Sequence, residues 1–144
     1  HTETTCDLFT VSALGGPARP LASCGDNVAF DLAWSPDGRW LAFSDRPAPD
    51  ASFSIFLLDP ETGARRRLTT PPGQHWGDRD PVFSPGGDEV AFTRSVSMNT
   101  QDVFAVPIAG GTPRRLTHDA AAVDGVDVVV VKDETCCGAH TFDG

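Results

Sequence analysis

The chain repeats itself every 47 to 49 residues. One block occurs three times, as Asp7-Leu8-Phe9-Thr10-Val11-Ser12, Ser54-Ile55-Phe56-Leu57-Leu58-Asp59 and Asp102-Val103-Phe104-Ala105-Val106-Pro107. Each copy runs into a glycine-bearing turn (Gly15-Gly16, Thr62-Gly63, Gly110-Gly111) and then into Arg19-Pro20-Leu21, Arg66-Arg67-Leu68-Thr69 or Arg114-Arg115-Leu116-Thr117. A second block lies between the copies. The stretch from Asp31 through Trp34-Ser35-Pro36-Asp37-Gly38 to Leu41-Ala42-Phe43 matches the stretch from Asp80 through Phe83-Ser84-Pro85-Gly86-Gly87 to Val90-Ala91-Phe92. Two independent blocks sharing one period describe a single supersecondary unit that buries its apolar face by stacking on its neighbours.

The unit reads as four short strands. Ser-Pro-Asp-Gly supplies a φ-fixed proline and a glycine free to take positive φ, which makes a tight turn between strands. In the second copy Gly86 stands where the first has Asp37, so that turn is expected to differ in type. Leu41-Ala42-Phe43 and Val90-Ala91-Phe92 suit short strands. Ile55-Phe56-Leu57-Leu58 and Val103-Phe104-Ala105-Val106 are apolar throughout, as expected of strands covered on both faces. The Arg-Leu-Thr segments then form a polar outer strand. Gly and Pro number 14 and 12 of the 144 residues, in keeping with many turns and few helices. The expected fold is all-β, built of four-stranded antiparallel blades.

Trp34-Ser35-Pro36-Asp37-Gly38, Leu41-Ala42-Phe43, the strand Ile55–Asp59 and Arg66-Arg67-Leu68-Thr69 together resemble the repeat of TolB-like, or WD40-like (PD40), β-propellers. The resemblance covers about residues 7 to 119. It implies a partial β-propeller: two complete blades with partial blades at each end. Residues 1–28 would hold the last two strands of a preceding blade, 29–70 a blade, and 71–119 a linker loop and second blade. Residues 120–144 would be a divergent partial blade or a poorly ordered tail, because Val128-Val129-Val130-Val131 replaces the Trp-Ser-Pro turn. Two blades and two parts cannot close a six-bladed ring. The expectation is therefore a piece of a longer chain, an open arc, or an arc completed by a second copy. Open blade edges favour self-association.

Charge narrows the partners. The formal net charge is −9, against nucleic acid, whose phosphates demand a basic surface. The arginine runs Arg65–Arg67 and Arg114-Arg115 recur at one place in the repeat and read as a solvated outer strand. No apolar run approaches the about 18 residues of a membrane span, so no membrane insertion by this segment is expected. Cys6 and Cys24 flank a hairpin centred near Gly15-Gly16 and should oppose each other at its base, within reach of a disulfide. Such a bridge implies a periplasmic or other extracytoplasmic location. Cys136-Cys137 with His140 departs from metal-ligand spacing, and neither a metal nor any other cofactor is expected.

The sequence lacks Gly-x-Ser-x-Gly, His-Glu-x-x-His and P-loop motifs, so the chain itself reads as no enzyme. The densest polar cluster is Gln74-His75-Trp76-Gly77-Asp78-Arg79-Asp80, on the loop joining the two blades. Inter-blade loops of propellers gather near the axis, and Asp31, Asp80 and Asp124 fall at matching places before successive inner strands. The candidate ligand-binding residues at an acidic channel mouth are thus Asp31, His75, Asp78, Arg79, Asp80 and Asp124, suited to a cationic peptide or a metal ion. The competing reading packs His75 and Trp76 into the blade interface and pairs Asp78 or Asp80 with Arg79. Trp34 and Phe43 belong to the blade core, while alternation sets Trp40 opposite to Leu41. What the resemblance implies about function is a non-catalytic scaffold that binds a protein or peptide partner or senses a ligand. The alternative is the N-terminal propeller of a prolyl-oligopeptidase-like serine hydrolase whose catalytic domain is absent here.

Overall fold

The computed structural model describes residues 6–24, 31–73 and 76–118. They form ten strands: β1 (Cys6–Thr10), β2 (Arg19–Cys24), β3 (Leu32–Trp34), β4 (Leu41–Asp45), β5 (Ser54–Leu58), β6 (Arg65–Arg67), β7 (Asp78–Phe83), β8 (Glu89–Ser97), β9 (Thr100–Pro107) and β10 (Arg114–Arg115). All pairings between them are antiparallel. β1 and β2 make a two-stranded sheet, β3-β4-β5-β6 a meander of four, and β7-β8-β9-β10 a second meander of four. This is a partial β-propeller of the all-β class. Among the described residues, no helix is long and apolar enough to cross a membrane. The expectations for residues 120–144, including Cys136, Cys137 and Asp124, lie outside the described residues, as does His75.

The turn chemistry acts as the repeat demands. In the first meander Gly38 donates its N–H to the Ser35 carbonyl, and Ser35 donates to Trp40. In the second, Gly87 donates to Ser84 and Ser84 to Glu89. Gly38 and Gly87 take φ of 73° and 75°, a region closed to most side chains. The two turns therefore share one hydrogen-bond pattern, contrary to the difference expected from Gly86. The reason lies two residues on. Ser35 Oγ donates to Asp37 Oδ1 in the first turn, and Ser84 Oγ donates to Asp88 Oδ1 in the second. Asp88 thus supplies the carboxylate that Asp37 supplies, from the other side of the glycine.

The apolar residues alternate between the two faces of the first meander, as the pleat requires. Leu41, Phe43, Phe56 and Leu58 point to the β1–β2 hairpin and pack with Leu8, Leu21 and Ala22. Ala33, Ala42, Ile55 and Leu57 point the opposite way and pack with Phe83, Val90, Phe92 and Val106 of the second meander. Every residue of β4 and β5 is consequently buried, which explains why β5 reads as an unbroken apolar run. Phe43 is fully enclosed and stacks on Phe56 at 5.8 Å between ring centroids. Burying such a side chain contributes about 2–3 kcal/mol. Phe92 and Phe104 repeat the stack at 6.0 Å. Trp34 is half-buried on the hairpin side, and Trp40 packs against the core between the meanders.

Side-chain ties also recur at the repeat period. Thr69 Oγ1 accepts the Ile55 N–H, and Thr117 Oγ1 accepts the Val103 N–H, so the threonine after each outer strand satisfies a buried donor of the strand before it. Arg19 donates to the Pro60 carbonyl and Arg66 to the Ile108 carbonyl. Each of these guanidiniums joins one unit to the next. The arginine runs are exposed as residues, as expected of an outer strand, yet their heads are engaged: Arg65 with Asp45, Arg67 with Ser54 and Thr69, Arg114 with Glu89, Arg115 with Asp102. Arg65 and Arg115 also lie over the rings of Phe56 and Phe104.

Candidate functional site

An antiparallel meander sends alternate connections to opposite ends. The Ser-Pro turns (35–40 and 84–89) and the outer turns (59–64 and 108–113) share one end. The β4–β5 loop (46–53), the β8–β9 turn at Met98-Asn99 and the approach to β7 share the other. Asp31 leads into β3, while Asp78, Arg79 and Asp80 open β7, so all four described candidates stand at this second end.

Their geometry differs from residue to residue. Asp31 is half-buried and its Oδ2 collects three neighbours. Ser44 Oγ donates to it at 3.2 Å, the Asp80 N–H at 3.4 Å, and Arg79 Nε lies 3.6 Å away. Asp80 carries the matching bond one unit on, since Thr93 Oγ1 donates to its Oδ2 at 3.1 Å. The sequence alignment of Asp31 with Asp80 therefore corresponds to a shared local arrangement, a carboxylate held by the hydroxyl of the adjoining strand. Asp80 is also the one non-glycine described residue with positive φ, at 53°. A β-bulge between Arg79 and Val82 accompanies it. A residue preceding proline in this region is costly, and here the Asp31 carboxylate on its N–H and the Thr93 hydroxyl on its side chain hold it.

Asp78 behaves otherwise. It is fully buried and accepts two hydrogen bonds from Arg94, Nε to Oδ1 at 2.7 Å and NH2 to Oδ2 at 2.9 Å. Arg94 in turn lies over Phe92 and Phe104, at 5.4 and 5.0 Å from the ring centroids. This corrects the expected partnership of Asp78 or Asp80 with Arg79. Arg94 sits in register with Asp78 across β7–β8, whereas Arg79 reaches back to Asp31 and over Phe53. Repeat comparison gives no arginine at this place, because the position of the first unit that matches Arg94 is Asp45.

Trp76 is not packed into the blade interface: 63% of it is exposed. Its backbone is nonetheless fixed. Phe53 donates to the Trp76 carbonyl at 2.9 Å, Asp78 donates to the Phe53 carbonyl at 2.8 Å, and Ser95 donates to the Gly77 carbonyl at 3.1 Å. Among the described residues no three His, Cys, Asp or Glu side chains are grouped to hold a metal. At the hairpin, the β1–β2 register makes Cys6 and Cys24 Cα partners.

No family model matches the sequence. The chain is 37% identical over 120 residues to the Tol-Pal system protein TolB of Anaeromyxobacter dehalogenans, covering 81% of this chain and 25% of that protein. It is 26% identical over 147 residues to a probable dipeptidyl-peptidase 5 of Aspergillus niger, covering 86% of this chain and 20% of that one. Among solved structures, a putative TolB from Agrobacterium tumefaciens superimposes with a TM-score of 0.64 at 25% identity, over 78% of this chain and 38% of its own. The chain spans between 10% and 36% of the length of the curated relatives it matches.

Proposed function

TolB-like β-propeller repeats are what this chain is built from, and from that premise we propose that it is a non-catalytic scaffold binding a protein or peptide partner outside the cytoplasm. The likeness to TolB across 120 residues carries the reading. The Cα pairing of Cys6 with Cys24 supports the location, because facing cysteines in a hairpin can form a disulfide that persists only in an oxidising compartment. The surface proposed for the partner is the end that bears Asp31, Asp80 and the loop 46–53, with His75 and Asp124 as further candidates. Asp31 and Asp80 lend it negative charge, which favours a cationic segment. The outer edges of the array are proposed to allow self-association.

The test is a photo-crosslinking amino acid placed at Asp50 on this end, and separately at Glu61 on the opposite end, in the producing cell. A specific adduct from position 50 alone is the expected result. Equal labelling from both positions refutes the assignment. Non-reducing mass spectrometry should find Cys6 joined to Cys24, and free thiols would remove the support for an oxidising compartment.

A second reading is favoured by the likeness to a dipeptidyl-peptidase over 147 residues. There the propeller would gate substrate to a hydrolase domain outside this sequence. A Gly-x-Ser-x-Gly domain in the parent open reading frame would select that reading.

A further inference from the structure

The β8–β9 hairpin outgrows its counterpart. β8 and β9 span nine and eight residues, against five each for β4 and β5. The extension projects beyond β7, and a β-bulge between Ser95 and Ser97 bends it. Between it and the 76–77 segment lies a cleft of about 610 Å³, lined by Trp76, Ser95, Ser97, Met98, Asn99, Thr100 and Gln101.

We propose that this cleft binds a short, neutral oligosaccharide. The composition of its lining carries the argument. None of the lining side chains is charged, although 22% of the chain is. A peptide or drug-like ligand is normally met by mostly apolar walls. Here five of the side chains are hydroxyls or carboxamides, which donate and accept in the same small space. That is the complement of a ring edged with hydroxyl groups. The remaining requirement is a flat apolar surface for the C–H face of a sugar ring. The exposed indole of Trp76 supplies it, its negative π-face attracting polarised C–H groups.

The backbone that carries the indole is held in place. Trp76 is bonded through its carbonyl to Phe53, and Gly77 through its carbonyl to Ser95, so both flanks of the segment are fixed. Gly77 has φ of 93°, and a Cβ there would lie 2.3 Å from the Phe53 carbonyl oxygen. Only glycine permits this approach. Below it the Asp78–Arg94 pair anchors the start of β7. An exposed tryptophan on an over-determined backbone loses little freedom when a ligand stacks on it.

The cleft lies at the same end as the surface proposed for the protein partner but is lined by none of the residues named for that surface, so its failure leaves that reading standing. The experiment is a titration of the whole chain, followed by intrinsic tryptophan fluorescence. The probes are cellotetraose, maltotetraose and chitotetraose, with tetragalacturonate and a proline-rich decapeptide as comparisons. A saturable blue shift with at least one neutral tetrasaccharide is expected. Calorimetry should show that Trp76→Ala weakens this binding by at least about tenfold, and that Gln101→Ala weakens it too. Circular dichroism of the variants should stay strand-dominated, because both side chains are exposed. No saturable signal with any neutral sugar up to about 10 mM overturns the proposal. So does binding that survives Trp76→Ala, or a preference for tetragalacturonate or the peptide.

Discussion

Replacing Arg94 by Met tests whether the Asp78–Arg94 pair is as deeply enclosed as its geometry indicates. The Asp78 carboxylate is fully buried, and the Arg94 side chain is 13% exposed. Methionine keeps much of the arginine stem and still packs on Phe92 and Phe104, so little cavity results. What is lost is the charge and both hydrogen bonds to a carboxylate that cannot reach bulk water. Stranding a buried charge in this way costs about 3–5 kcal/mol. Loss of the guanidinium from two aromatic faces adds about 1 kcal/mol. With a urea m-value of about 2 kcal/mol/M, the midpoint should fall by about 2–3 M. The informative companion is Asp78→Leu with Arg94→Met, which removes both charges at once. Exchanging a buried pair for apolar groups is often near neutral, so the double variant should recover most of the loss. Equilibrium urea denaturation, followed by circular dichroism, measures all three proteins. If Arg94→Met lowers stability by less than about 1 kcal/mol, the pair is solvated and the reasoning fails. It fails equally if the double variant is as unstable as the sum of its parts.

Two further tests address the approach to β7 and the Ser-Pro turn at the opposite end. Gly77→Ala forces a Cβ against the Phe53 carbonyl and into positive φ; it should destabilise the chain by more than about 1 kcal/mol in the same urea assay, and a neutral result would refute the close approach. The Asp37 carboxyl is held below its ordinary value of 3.8 by the Ser35 hydroxyl first and the Arg39 N–H second. A depressed folded-state value means this stabilisation is present above the unfolded value and lost as pH falls through the folded one. Carboxyl NMR titration should place the Asp37 midpoint below 3.8, and Ser35→Ala should raise it; an unchanged midpoint in that variant would contradict the assigned cause.

Much of the fold was readable because period and pleat are local quantities. Ile55–Leu58 is apolar at consecutive positions, and the structure buries it on both faces for the reason the pattern suggests. The opposition of Cys6 to Cys24 could be anticipated from the Gly15-Gly16 turn, although a bulge between Leu8 and Phe9 intervenes in the register. The site was less legible. Asp31 and Asp80 stood out because they repeat, whereas Arg94 does not repeat and was passed over. Its pairing with Asp78 depends on which residues face each other across β7 and β8, a register set by a bulge that no motif announces. Trp76 looked like an interface residue because tryptophan is usually buried. Its backbone is placed by Phe53 of the β4–β5 loop and that of Gly77 by Ser95 of β8, contacts that cannot be inferred from its own neighbourhood. The Gly86 turn misled for the opposite reason: Asp88 restores from a shifted position what position 86 lacks.

The arginine tie that recurs between units points forward along the chain, although Arg65 also reaches back to Ser23 and Arg79 to Asp31. Arg19 reaches forward to Pro60, Arg66 forward to Ile108, and Asp31 forward to the backbone of Asp80. The array therefore has a polarity, with a giving side and a receiving side on each unit. Growth by duplication of a whole period keeps both sides matched wherever the copy begins. A transplanted blade lacking the forward arginine and aspartate would leave the matching carbonyl and N–H of its neighbour without those partners.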